Sequence, residues 1–190
     1  MEKWKDKLFE RFSISHEELD WLLFNATEVS FGPNTTIVDE QEIDTHLYIL
    51  VEGVWRAYTY REGKEATIWF ASSGDFVFSV WGYIMGQPSL LRIESITESR
   101  CYSIRKDVLE RLFATSLAFA NLGRKLVEGL VVYYEMWGLD MWRQRAAERY
   151  LALMNDMPEA VRMIPLKYIA SYLGITVQSL SRIRSEIVKR

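Results

Sequence analysis

The sequence predicts an α+β chain: a domain of many short strands, then one long amphipathic helix, then a C-terminal helix-turn-helix. Three observations carry this reading. Between residues 27 and 104, short runs rich in Val, Ile, Thr, Tyr and Trp are broken by turn residues at near-regular spacing. From Lys106 onward the apolar period becomes helical. Near the end, Gly174 sits between two short amphipathic segments at the spacing of a helix-turn-helix.

Residues 2–26 read as two short helices. Ser15 can cap the second, with Glu17 and Glu18 in its first turn, where the helix dipole favours negative charge. Strands follow at 27–31, 35–38, 46–51, 54–60, 66–71, 92–97 and 100–104. The breaks between them are Gly32-Pro33-Asn34, Gly53, Glu62-Gly63-Lys64 and Ser72-Ser73-Gly74-Asp75. Many short strands of this kind build a sandwich, jelly roll or small barrel. The stretch from Tyr60 to Ala66 reads as a hairpin with Gly63 at a position of positive φ.

The helical part opens with a long stripe, Phe119, Leu122, Leu126, Leu130, Tyr133 and Trp137, in steps of three and four. It predicts a helix of about 20 residues whose seam pairs with a partner helix. A further helix fits 141–154, Pro158 and Pro165 punctuate a connector, and two short helices close the chain. The expected division is 1–114 for the strand domain, 115–138 for the dimerisation helix and 139–190 for the helix-turn-helix domain.

In that terminal motif each position has a geometric reason. Leu166, Ile169 and Leu173 form the inner face of the first helix, and Ala170 is small where the second helix crosses. Gly174 supplies the left-handed residue of the turn. Thr176 can cap the second helix, whose inner face is Leu180, Ile183 and Ile187. Gln178, Arg182, Ser185 and Lys189 then line the opposite face. On such a face Gln178 suits adenine, Arg182 suits guanine, and Val177 suits a thymine methyl group. Lys167, Ser179, Ser181 and Arg184 are placed for phosphate.

Composition sets limits. The 190 residues are 49% hydrophobic, with seven Trp, ten Tyr and nine Phe, enough for real cores. A single cysteine, Cys101, excludes an internal disulfide framework and a four-cysteine metal site, and fits a reducing cytoplasm. The charged N-terminal residues are unlike a signal peptide, and no run of about 18 apolar residues suits a membrane span. Net charge is −3, but residues 1–114 hold 12 basic and 19 acidic side chains against 11 and 7 in residues 115–190. The basic surplus therefore lies where the motif does. The two histidines, His16 and His46, have no metal-ligand spacing, and the acidic loop at Glu40, Glu42 and Asp44 reads as solvated surface. No nucleophile or phosphate-loop motif appears, so the chain is read as a non-enzyme without metal or cofactor.

This order of elements resembles the Crp/Fnr superfamily of transcription regulators over almost the whole chain. The likeness rests on residues 164–187, on Leu47-Tyr48-Ile49-Leu50-Val51-Glu52-Gly53, and on Ser73-Gly74-Asp75-Phe76. It implies a cyclic-nucleotide-binding-like β-roll of jelly-roll type, a dimerising helix and a winged-helix-like DNA domain, with the wing reduced or absent. It further implies a cytoplasmic homodimer on a pseudo-palindromic double-stranded DNA operator, with RNA polymerase and a small-molecule effector as further partners. The phosphate-binding pattern departs from the family. Val77 and Phe78 stand where Gly and Glu are expected, Ser89 stands near the place of the phosphate-binding arginine, and Arg92 comes three residues late. An effector other than cyclic AMP follows, since a buried phosphate needs its cation. Trp69, Phe78, Ser79, Trp81, Ser89 and Arg92 are the candidate effector pocket. Alternatively the aromatics Trp55, Trp69, Phe76, Phe78, Trp81 and Tyr83 simply fill the vacated space as core. A different class of function also stays open: a ligand-sensing or protein-interaction module whose C-terminal helical hairpin docks to a protein.

Overall fold

The computed structural model describes residues 3–188. Two helices open the chain, α1 (Lys3–Phe12) and α2 (His16–Phe24). Ser15 caps α2 as expected, and reciprocally: its hydroxyl accepts from the Glu18 N–H at 3.1 Å while its own N–H donates to the Glu18 carboxylate at 2.6 Å.

Eight strands follow: β1 (Thr27–Phe31), β2 (Thr36–Val38), β3 (His46–Glu52), β4 (Val54–Arg61), β5 (Lys64–Ser72), β6 (Phe76–Val77), β7 (Arg92–Ser95) and β8 (Ser99–Arg105). They form two four-stranded antiparallel sheets in the orders β1-β8-β3-β6 and β2-β7-β4-β5. Neighbours far apart in sequence pair in both, the mark of a roll. The β4–β5 hairpin is tighter than the sequence suggests. Arg61 pairs with Lys64, so Glu62 (φ 53°) and Gly63 (φ 75°) alone make the turn, both left-handed. Two elements had no signal in the sequence. β6 is only two residues long, too short to show alternation. After it runs a π-helical segment, Val80–Met85, in which Gly82 passes so close to the 44–45 backbone that a Cβ would lie 2.1 Å from the Asp44 carbonyl oxygen.

Between the sheets Tyr48, Leu50, Trp55, Ala57, Ile93 and Cys101 close a core, and Trp55 is wholly buried with Tyr48 edge-on at 5.5 Å. β3 is buried on both faces, which explains its unbroken apolar run. Its other face, Leu47, Ile49 and Val51, meets Trp4 and Leu8 of α1, Leu19 and Leu22 of α2, and two later helices, α3 (Lys106–Thr115) and α4 (Leu117–Arg143). The chain ends in α5 (Ala146–Asp156), α6 (Pro158–Met163), α7 (Leu166–Leu173) and α8 (Val177–Val188).

Two boundaries differ from the sequence reading. The helix expected over 141–154 is split, because α4 runs on to Arg143 and the chain is extended at Gln144 and Arg145 before α5 starts. The local reason is a restart: the Arg145 N–H donates to the Glu148 carboxylate at 2.7 Å, satisfying a free donor at the new N-terminus. The expected connector around Pro158 is instead helical, with proline at the first position, where its missing N–H is harmless.

Burial pushes the Cys101 thiol up to about 12, since a thiolate between two apolar sheets lacks solvation. The folded protein should therefore leave an aromatic disulfide reagent at pH 8 essentially unreacted until denaturant is added. Rapid stoichiometric labelling of native protein would show that the roll interior is open.

Candidate nucleic-acid interface and the cleft behind it

The terminal pair of helices has the geometry the sequence predicts. Gly174 ends α7 at φ 69°, and its N–H bonds back to the last turn. The Thr176 hydroxyl caps α8 by accepting from the Ser179 N–H at 3.1 Å. Leu180 is fully buried, and Ile183 and Ile187 pack half-buried beside it. That burial turns Gln178, Arg182 and Ser185 outward together, with Val177, Ser181 and Arg184 also exposed. Among the described residues neither Arg182 nor Arg184 has an ion-pair partner. Two hydroxyls are engaged: Ser179 shares a 3.0 Å bond with Thr176, and Ser185 donates to the Ser181 carbonyl at 3.0 Å. Lys167 is exposed at the start of α7, its amine 4.6 Å from the Tyr168 ring centre. Lys189 lies outside the described residues.

The first helix of the pair is fixed to the roll by a contact that the sequence did not announce. Arg56 of β4 is 1% exposed. Its guanidinium lies 4.0 Å from the Tyr58 ring centre and 3.5 Å from that of Tyr168 on α7. Glu94 takes its Nε at 2.7 Å and Glu65 takes Nη2 at 2.6 Å. Burial alone would lower the Arg56 pKa, but the bonds to Glu94 and Glu65 outweigh it and hold the cation charged. Next to it the Thr67 N–H donates to Ser171 Oγ at 3.0 Å, and Ser171 Oγ donates to the Glu65 carbonyl at 2.8 Å. Phe70 and Tyr172 complete the contact, their ring centres 5.4 Å apart. Only Tyr168, at an unexpectedly buried position of α7, could have hinted at this.

The residues assigned to an effector pocket do not converge. Trp69 and Phe78 line a cleft of about 550 Å³ between the roll, α1, α4 and α5, but Ser79, Trp81, Ser89 and Arg92 do not. Each of the polar three is already committed. Ser79 Oγ caps the π-helical segment by accepting from the Gly82 N–H at 3.2 Å. Ser89 Oγ donates to the Leu91 carbonyl at 2.7 Å, and Arg92 Nε is paired with Asp39. Inside the roll, Trp55 and Tyr48 occupy the space between the sheets. Among the described residues, no buried cation without a partner lies there for a phosphate, so these residues do not fit a cyclic nucleotide.

The predicted dimer stripe is also corrected. Phe119 and Leu122 are buried in their own chain, Phe119 against Trp21 at 5.2 Å, and Leu126 packs on the same core. Leu130, Tyr133 and Trp137 line the cleft. Among the described residues, the more exposed face is about a quarter-turn round: Leu117, Ala120, Arg124, Val127, Val131, Tyr134, Gly138 and Met141, with Ala120 and Gly138 half-buried. Its steps alternate strictly between three and four, a heptad that the more strongly apolar inner stripe outshone.

Comparison with known proteins gives the same architecture. Residues 28–116 match the family model of the cyclic nucleotide-binding domain. The transcriptional activatory protein AadR of Rhodopseudomonas palustris is 29% identical over 184 residues, covering 88% of this chain and 72% of its own length. The nitrogen fixation regulation protein FixK of Bradyrhizobium diazoefficiens is 25% identical, with 90% and 75% covered. Among solved structures, FixK2 from Bradyrhizobium japonicum superposes with a TM-score of 0.75 at 24% identity, over 86% of this chain and 85% of its own. A CooA mutant from Carboxydothermus hydrogenoformans gives 0.70 at 15% identity, over 96% and 84%.

Replacing Arg56 by Gln should destabilise the fold by about 3–5 kcal/mol, because it strands the carboxylate of Glu94 in a dry site. Tyr168→Phe keeps the stacked ring and should change stability by under about 1 kcal/mol. Urea unfolding measures both, and an Arg56→Gln variant as stable as the parent would show that the cluster is not a constraint.

Proposed function

We propose that this chain, a Crp/Fnr-type relative carrying the cyclic nucleotide-binding fold, is a sequence-specific DNA-binding transcription regulator that works as a homodimer. One observation carries the reading: α8 presents Gln178 and Arg182 side by side on an exposed face, with the guanidinium unpaired among the described residues. A buried face of aliphatics holds that ridge outward. Gln178 and Arg182 would read base edges in the major groove, and Lys167, Ser181 and Arg184 would hold phosphates. Ser179 and Ser185 contribute less than their positions suggest, because their hydroxyls already have partners.

A second copy of the chain is the occupant that suits the exposed heptad of α4. A two-fold pairing sets such a seam against itself, and apolar side chains such as Val131, 60% exposed, would gain burial there. Two copies of α8 then face successive major grooves, so the operator is a pseudo-palindrome with half-sites about 34–36 Å apart. Cyclic AMP is not the effector of this reading, for want of a phosphate partner in the roll.

Arg182→Ala should cost about 1–3 kcal/mol of operator affinity and relax preference at one base pair, measured by titration against randomised duplexes. Parent affinity should fall steeply as salt is raised. An unchanged base preference, or binding indifferent to salt, would refute the assignment. For the dimer, Val131→Glu should give a folded monomer by light scattering, while Leu130→Glu, on the inward stripe, should instead lower the unfolding midpoint. A Val131→Glu protein that stays dimeric would exclude this seam.

A further inference from the structure

We infer that Arg149 is a positioning residue of the DNA-binding motif: it bridges the end of α4 to the turn between α7 and α8, and so sets where α8 stands relative to the proposed dimer seam. What the turn does in this account rests on the DNA-binding reading above; the bridge itself does not. The chain is extended at Gln144 and Arg145, so α4 and α5 are not one continuous rod. Arg149 is the fourth residue of α5, just beyond that break. Its Nη1 donates back across the break to the Met141 sulfur, and its Nη2 donates to the Leu173 carbonyl at 2.7 Å. Met141 is exposed and is the last member of the heptad on α4. Leu173 is the last residue of α7. One planar group therefore joins the end of the seam to the first helix of the motif.

The place it holds is the turn itself. The last carbonyls of a helix find no partner within it. In α7 the turn satisfies two of them: the Gly174 N–H donates to the Ser171 carbonyl at 3.1 Å, and the Ile175 N–H donates to that of Ala170 at 3.0 Å. The Leu173 carbonyl is satisfied by Arg149, whose charge also suits the negative end of the helix. Thr176, the cap of α8, follows directly after Ile175. The guanidinium thus sits where the angle between α7 and α8 is fixed.

Stability does not account for this arginine. Among the described residues no carboxylate pairs with it, and it is half-buried. One of its acceptors is a thioether, a weak one, and its Nε is buried with no hydrogen-bond partner. A cation so incompletely partnered costs the fold. What the position uses is the fork: two donors set apart in one plane reach two elements, which the single nitrogen of a lysine cannot do. Residues that break a local rule of stability concentrate where a protein works.

Amide hydrogen exchange on the full chain, without DNA, tests the bridge at Gly174 and Ile175. Arg149→Lys should speed exchange there about tenfold, the loss expected for a bond to a charged group. Met141→Leu keeps the seam apolar but removes the sulfur, and should speed the same amides about threefold. The double variant should be no faster than Arg149→Lys alone. Turn amides indifferent to Arg149→Lys, or effects of the two changes that multiply, overturn the bridge. Should Arg149→Lys not fold, Met141→Leu decides alone: parent exchange at both amides overturns it. On an operator selected from random duplexes, Arg149→Lys should weaken binding about tenfold with an unchanged salt slope, because its donors are spent inside the protein. A slope reduced by about one would make Arg149 a phosphate contact and overturn the positioning role, as would unaltered operator affinity. If the parent binds no duplex, the DNA-binding reading fails, while exchange still decides the bridge.

Discussion

The arrangement of this molecule depends on one buried cation. Arg56 sits where two cores meet, stacked between Tyr58 of the roll and Tyr168 of the terminal helices, with Glu94 and Glu65 closing its hydrogen-bond valences. A charge in such a place is tolerable only when every partner is present. The cluster therefore demands a particular seating of α7 on β5, more strictly than apolar packing alone would. Around it, Val54, Phe70 and Ile96 of the roll merge into the same hydrophobic cluster as Ile169, Leu173 and Leu180. The exposed face of α8 is outward as a consequence: burying α7 against the roll and Leu180 beneath α8 leaves only one direction for Gln178 and Arg182.

The filled roll interior bears on regulation in a different way. In a domain of this fold the space between the sheets is the obvious ligand position, yet Trp55, fully buried, and Tyr48 occupy it. Of the nearby polar residues, Ser79 and Ser89 are spent on bonds within their own turns and Arg92 on Asp39. Aromatic bulk here stabilises the roll by the burial it gains, of order 1.5–3 kcal/mol per large side chain. The aromatic-walled volume that persists lies instead at the junction of the roll with α4 and α5.

Much of this was legible in the sequence, for identifiable reasons. The terminal motif could be read because its constraints are local: Gly174 at positive φ, Thr176 as a cap, and aliphatics at helical spacing all act within about 20 residues. Most strands could be read because β-branched and aromatic runs between turn residues are also local signals. The pocket could not, because Ser79 and Ser89 are taken up by the turns they sit in, and Arg92 finds its partner, Asp39, only when the chain folds. The helix seam failed for a subtler reason. Two faces of α4 both step by three and four, and hydrophobicity ranks the inward face first, since Phe119, Leu122 and Leu126 are larger than Ala120, Val127 and Val131. The rule that the strongest stripe meets a partner holds for an isolated helix. In a helix that must also bury itself against its own domain, the stronger stripe goes inward and the weaker is left for assembly.

That weaker seam has a consequence for how the halves of the proposed dimer communicate. Ala120 and Gly138 contribute little area, and Arg124, at a core position of the heptad, pairs with Glu128 of its own helix at 2.5 Å. A charged residue in such a seam specifies register at a cost in stability. Modest stability with defined register suits a pair of helices that must shift relative to each other. The shift would have two routes to α8. One passes through the extended break at Gln144 and Arg145, which joins α4 to α5 by only a few bonds. The other passes through the roll and the Arg56 cluster, which is stiff. With that cluster intact, roll and terminal helices would move together, and a displacement along α4 in the proposed dimer would reach α8. In the proposed dimer, the seating of the two long helices would set the position of α8, with the Arg56 cluster holding α7 to the roll.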